Sequence, residues 1–356
     1  MKDSLKFRES ESESLIHTGS QGVDRQHRQS RMTASTDDYA IPGDSHIFVL
    51  GWLVTVTMQL LFFTIAAYYK FDKVTDFAGS MNFILLALLS FLISKLYTAR
   101  AIIVTVFVLA SKLYLALYLL YRVMKRGKDG RFDETRDNCC RFFVFWVFQM
   151  IWCYGVSLPV MFINTDSAEP KLGGCDIAGI IIFIYGFLCE VISDLQKDAF
   201  RSNRANDKEF CNAGLWKYSR HPNFFGEILM WWGIYIIGIP VFRASDCSWG
   251  YVTVISPLLT MAILLLLSGI PTAEGDNQKR FLKTPEIRKR FLEYRECTSP
   301  LIIMPTTLYK NMPLMIKRVL FFEWKMYECD FSPIATEVLV AGNTAEQNVV
   351  MNNLNV

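Results

Sequence analysis

Seven times between His46 and Pro271 the chain stays apolar for long enough to cross a hydrocarbon core, which takes about 17–25 helical residues. The runs are 46–68, 80–98, 101–123, 142–163, 173–194, 223–243 and 250–271. Lipid offers no partner to backbone N–H and C=O groups, so apolar runs of this length fold as helices, which pair those groups internally. The expected fold is an all-α integral membrane protein, a polytopic bundle of about seven transmembrane helices. Composition agrees, with 52% of the 356 residues hydrophobic against about 45–50% in soluble domains.

The flanks read differently. Residues 1–44 ("ESESESLIHTGSQGVDRQHRQSR" among them) have almost nothing apolar to bury and are expected to be a disordered polar extension. They lack the apolar core of a signal peptide, so the first apolar run is expected to serve as signal and anchor together. Residues 45–300 form the multi-pass domain. Residues 301–330 mix Lys310, Lys317, Arg318 and Lys325 with Leu, Phe and Trp, the pattern of an interfacial amphipathic helix. Residues 331–356 are a polar, asparagine-rich tail.

Basic residues crowd the connections after the third and fifth runs and the stretch after the seventh. By the positive-inside rule these face the cytosol, and seven spans then place the N-terminus outside. The second and third runs are separated only by Lys95 to Arg100, room for a tight turn. A net charge of +3, with cations scattered between apolar runs, is not a nucleic-acid footprint. The nine cysteines form no C-x-x-C and read as small buried hydrophobes in a reducing setting. The four histidines, His17, His27, His46 and His221, cannot assemble a zinc ligand set, so no metal is expected.

Chemistry concentrates in "GLWKYSRHPNFFGEILMWWGIYI", residues 214–236. Pro222 suits the first turn of a helix, so the sixth span starts there. Its N-terminal N–H groups would then face the rim where Arg220 and His221 sit, a place suited to a phosphate or carboxylate. Asn223 and Glu227, four apart, share a face that Met230 and Trp231 extend. Ionisable groups at membrane depth are paired or functional, and the simplest alternative for Glu227 is a salt bridge to Arg220. In the fifth span Glu190, Asp194 and Arg201 form one polar stripe, with Lys197 or Asp198 between. A solvated helix extension accounts for its outer end, Lys197 to Arg201, while Glu190 needs a partner inside the bundle. Lys112 lies mid-span with Tyr114, Tyr118 and Tyr121 after it, and Glu190 or Glu227 is its natural partner.

The string "YSRHPNFFGE", together with "KRGKDGRFDE", "VSLPV", "EVISDLQKDAFR", "SGIPTAEGDNQKRF" and "SPLIIMP", resembles the steroid 5-alpha-reductase C-terminal-like membrane family, in its uncharacterised-domain branch. The resemblance covers roughly residues 45–330. Related R-H-P-N/S strings occur in sterol reductases, which use NADPH, and in isoprenylcysteine carboxyl methyltransferases, which use S-adenosylmethionine. Two details favour the reductases: the Phe225-Gly226-Glu227 sequence and the spacing of Asp194 and Arg201. The resemblance implies an endoplasmic-reticulum oxidoreductase that reduces a C=C bond in an enone, sterol or polyprenyl-like lipid entering from the bilayer. It implies an NADPH pocket lined by Glu190, Asp194, Arg201, Asn223, Glu227, Trp231 and Tyr294, with Arg220 and His221 toward the phosphates. Glu227 and Lys112 belong to the expected catalytic set, with Tyr218, Tyr114 and Tyr118 the candidate proton donors. Phe224 stands where the family usually has Tyr, and Lys112 where relatives often have Arg. An S-adenosylmethionine-dependent methyltransferase and a non-catalytic membrane scaffold are the alternatives.

Overall fold

The computed structural model describes residues 45–70, 74–126, 138–203, 209–245, 249–282 and 284–328. The polar extension over 1–44, much of the "KRGKDGRFDE" connection and the tail from 331 lie outside the described residues. Among those described the fold is helical throughout, with seven helices long and apolar enough to cross a membrane. They are α1 (Ser45–Tyr69), α2 (Val74–Ser94), α3 (Ala99–Arg126), α4 (Cys139–Thr165), α5 (Gly174–Ser202), α6 (Pro222–Ala244) and α7 (Trp249–Ala273). Shorter helices follow, among them α8 (Pro285–Cys297), α9 (Thr306–Lys310) and α10 (Leu314–Leu320).

All seven expected runs are helices, and their ends differ for local reasons. Helix α2 begins six residues earlier than hydropathy placed it, since Asp76 and Thr75 interrupt the apolar count without interrupting the backbone. The tight turn to α3 is present, with Lys95 at φ 56° and Tyr97 at φ 48° reversing the chain. Helix α6 starts at Pro222 as expected. Helix α7 is not uniform: a π-helical segment, Ile263–Leu267, interrupts it, and Gly269 breaks it before Ile270. The interfacial segment is two short helices, α9 and α10, because Pro313 ends any single run through it. Among the described cysteines Cys153 and Cys189 are buried as expected, whereas Cys139 and Cys140 are exposed.

Helices α5 and α6 make the closest pair, and four glycines explain it. Gly179 faces Gly233 and Gly186 faces Gly226, so the helices run antiparallel with contacts two turns apart on one face. A methyl group at Gly186 would lie 2.6 Å from the Gly226 carbonyl oxygen, and one at Gly233 would lie 2.7 Å from that of Gly179. Small residues at a membrane helix interface permit this approach, since lipid gives helices no hydrophobic reason to associate and close packing has to do it. A methyl at Gly226 would come 2.8 Å from the Glu190 nitrogen, so the pairing also sets the carboxylate-bearing turns of α5 and α6 against each other. The core alongside joins Phe83 of α2, Val108 of α3, Cys153 and Val156 of α4, Phe183 of α5, and Met230 and Trp231 of α6.

Candidate functional site

A cavity of about 850 Å³ opens between the C-terminal halves of α3 and α5, the start of α6 and the end of α7. Its inner end is set by one ion pair. Lys112 Nζ is 2.5 Å from Glu227 Oε1 and almost wholly buried, with the ring centroids of Trp231 and Phe83 at 5.1 and 5.4 Å. Trp231 Nε1 donates to the same Glu227 oxygen at 2.8 Å, one helical turn along α6. Glu227 Oε1 therefore takes two donors while Oε2, equally buried, takes none.

The middle of the cavity repeats that incompleteness. Glu190 Oε2 and Asn223 Oδ1 are buried without hydrogen-bond partners, although Glu190 is only 4% exposed. Asp194 meets the Asn223 amide across the α5–α6 seam. Tyr118 of α3 donates its hydroxyl to the Asp194 carbonyl at 3.2 Å. Tyr114, one turn away, stacks on Tyr118 with centroids 5.9 Å apart, and its buried hydroxyl has no partner. A buried polar atom left unpaired costs about 1–3 kcal/mol, so several in one cavity mark a place where a ligand completes the bonding.

Toward the mouth the lining turns cationic, with Arg122, Lys197 and Arg201. Lys197 is no solvated extension: its Nζ sits 3.8 Å from the Trp216 ring centroid, inside the wall. Trp216 is held there by its own Nε1, which donates to the Ser193 carbonyl at 2.7 Å, and by the Tyr294 hydroxyl, which donates to the Trp216 carbonyl at 2.6 Å. Burial raises the Tyr294 phenol above its ordinary value.

Arg220 has partners that spacing did not suggest. It does not bridge to Glu227. Its Nη2 donates to both oxygens of Glu323, at 2.7 and 2.8 Å, and its Nε lies 3.2 Å from Glu274 Oε1. These two carboxylates outweigh burial and raise the guanidinium's affinity for its proton. With its charge matched twice, Arg220 forms a wall of the cavity, and Arg122, 3.9 Å from Asp76, lines the mouth together with Lys197 and Arg201. His221 Nε2 lies 3.0 Å from Glu274 Oε1. Burial lowers the His221 pKa and the Glu274 contact opposes it only in part, so the ring is neutral near pH 7 and its Nε2–H donates. Burial raises the Glu274 carboxyl, but Arg220, the His221 bond and Arg295 outweigh it and hold it down to about 2.

The structure thus brings nine of the thirteen expected residues to one cavity lining: Tyr118, Glu190, Asp194, Arg201, Arg220, His221, Asn223, Glu227 and Tyr294. Lys112, Trp231 and Tyr114 stand directly behind them, holding or stacking on lining groups. Tyr218 is elsewhere, 38% exposed and absent from the lining. Sequence reasoning missed Glu274, Glu323 and Trp216. Glu274 lies within "SGIPTAEGDNQKRF", where an acidic residue beside an apolar helix end was the available signal.

Fold and site together define a polytopic membrane protein with a charged cavity at one end of its bundle. The chain belongs to the family described as "Protein of unknown function (DUF1295)", which matches residues 62–298 and falls in the steroid 5-alpha-reductase-like group. An uncharacterised protein of Schizosaccharomyces pombe is 26% identical over a match covering 27% of this chain and 33% of the relative. The chain therefore aligns with about a third of that protein's length. No solved structure matches the chain.

Proposed function

We propose that the protein is an NADPH-dependent reductase of a C=C bond in a lipid-soluble substrate. The observation that carries the reading is the set of unpartnered buried acceptors, Glu190 Oε2, Glu227 Oε2 and Asn223 Oδ1, in a cavity whose mouth bears two arginines and a lysine. The deep acceptors suit hydroxyl and amide donors. Arg122, Lys197 and Arg201 suit phosphates, which NADPH carries and S-adenosylmethionine lacks. A volume of about 850 Å³ is in the range of about 300–1,000 Å³ typical of ligand sites. When bound, NADPH would supply the hydride.

The chain's own residues would position and protonate. Lys112 and Trp231 fix one oxygen of Glu227, so the other keeps a constant direction into the cavity. Tyr114 is the strongest of the three phenols as proton donor, because its hydroxyl has no protein acceptor whereas that of Tyr118 is committed to the Asp194 carbonyl. Tyr218 is exposed and neither lines the cavity nor stacks on a tyrosine that does, so it would leave the chemistry unchanged. The substrate would reach the cavity from the bilayer, and a mouth on the cytosolic face of the endoplasmic reticulum would meet the cofactor.

Thermal unfolding of the purified protein with NADPH or with S-adenosylmethionine tests the reading. A ligand of the native state raises apparent stability by mass action, so NADPH should raise the midpoint and Glu227→Gln should diminish the rise. A rise with S-adenosylmethionine alone would transfer the site to a methyltransferase, and no response to either would leave a scaffold.

A further inference from the structure

Residues 299–328 lie beyond the stretch the family matches and have no part in the reading above. Their inner side is bound to the cavity wall in three places. Ser219 and Ser299 form a parallel bridge, with the Arg220 N–H donating to the Ser299 carbonyl at 2.8 Å and Ser219 Oγ to that of Leu301 at 2.6 Å. Glu323 receives Arg220 and, at 2.5 Å, the Tyr309 hydroxyl. Tyr327, fully buried, donates its hydroxyl at 2.6 Å to the carbonyl of Leu265, inside the π-helical interruption of α7. That acceptor belongs to a membrane-spanning helix and lies eight residues before its end. The segment therefore reaches the level of the bilayer edge.

Its outer side is apolar and cationic. Leu308, Leu314, Met315, Val319 and Leu320 are each 55–76% exposed. Lys310, Arg318 and Lys325 are exposed among them, while Lys317 turns inward beneath the Tyr309 ring at 4.5 Å. Glu323 is turned inward to Arg220, so the segment exposes three cations against one carboxylate, Glu328. An apolar patch of this kind at the bilayer edge is covered by lipid, and its cations sit at the level of the headgroups, where anionic lipids attract them.

We propose that residues 299–328 are a strap whose outer face rests on anionic headgroups of the protein's own bilayer, and whose inner face thereby keeps Arg220 and the cavity wall assembled. The inference does not depend on which cofactor the cavity takes. Backbone hydrogen exchange of the full chain, in nanodiscs of phosphatidylcholine alone or with phosphatidylserine, tests it. The proposal expects amides of α9 and α10 to exchange about tenfold more slowly with phosphatidylserine at low salt, and high salt to erase the difference. The triple variant Lys310→Gln/Arg318→Gln/Lys325→Gln should lose the difference while keeping the parent's unfolding midpoint in phosphatidylcholine. Glu323→Gln should speed exchange at 299–304 in both lipids, which a strap attached only by its outer face would not show. Equal exchange in the two lipids, a difference that survives in the triple variant, or protection that arises only on adding a soluble protein would each overturn it.

Discussion

Two buried ion pairs, one where α3 and α5 begin and one at the middle of α3, differ in completeness. Arg100 of α3 gives Nε to Asp176 Oδ1 at 2.6 Å, Nη2 to Oδ2 at 3.0 Å and Nη1 to the Pro170 carbonyl at 3.2 Å, and Asp176 Oδ2 also receives the Gly173 N–H at 2.8 Å. Both carboxylate oxygens are occupied, and the pair closes the α4–α5 connection onto α3. Lys112 and Glu227 approach as closely, yet Glu227 Oε2 is buried with nothing bound to it and a cavity beside it. The same chemistry serves as a fastening where every valence is used and as a site where some are left over.

Breaking the saturated pair should have the larger effect on stability. Arg100→Leu leaves Asp176 buried and uncompensated, so unfolding should become easier by about 3–5 kcal/mol, whereas Arg100→Leu with Asp176→Leu should recover most of that. Chemical denaturation of the two variants in one detergent measures the difference. Equal losses would mean that the pair is not what closes that connection.

Acidification probes the network at the cavity end. His221 has its pKa lowered, so as pH falls through its ordinary value of 6.5 the unfolded chain takes a proton that the folded chain refuses, and stability declines. Glu274, held to about 2, contributes its stability in full above its ordinary 4.5 and loses it as pH falls below that. Its share is about 3 kcal/mol. Unfolding midpoints should therefore start to fall near pH 6.5 and steepen below 4.5, and His221→Gln should remove the first decline and keep the second. The Arg100–Asp176 pair itself includes no histidine to produce that upper step.

A smaller change separates packing from charge. Gly186→Ala puts a methyl 2.6 Å from the Gly226 carbonyl oxygen and 2.9 Å from Leu229 Cβ, an overpacking expected to cost about 1–3 kcal/mol. The α5–α6 seam carries Glu190 and Glu227, so if the cavity takes NADPH, the stabilisation it confers should fall further than stability itself. Gly173, with open space about it, should accept alanine without affecting the ligand response.

What could be read from sequence follows from the range of the forces involved. Seven spans were legible because hydropathy is local, and the α6 start because Pro222 is a local signal. The Lys112–Glu227 pair was legible because charges within apolar runs are few. The partners of Arg220 were not: Glu323 is 103 residues away, and Glu227, nearer in sequence, points down the helix instead of back to the rim. The glycines were visible as letters, but their spacing of seven acquires meaning only when two helices are known to be antiparallel neighbours. The π-helical interruption of α7 leaves no mark in "ILLLL", since any apolar residue accepts it.

The smallest expected effect on stability lies in two stacked tyrosines, where the contrast between used and unused valences recurs on one helix. Tyr118→Phe removes a hydroxyl that donates to the Asp194 carbonyl, and should cost about 1 kcal/mol. Tyr114→Phe removes a buried hydroxyl with no partner, so the apo protein should be unchanged or more stable by up to about 1 kcal/mol. If Tyr114 is the proton donor of a reductase, the same substitution should lower turnover by about 10²–10⁴-fold while the Tyr118 variant keeps most of its rate. A Tyr114→Phe protein that gains stability and keeps its turnover would show that an unpaired buried hydroxyl can be a packing fault in this bundle, and the acid would then have to be sought among Glu190 and Asp194.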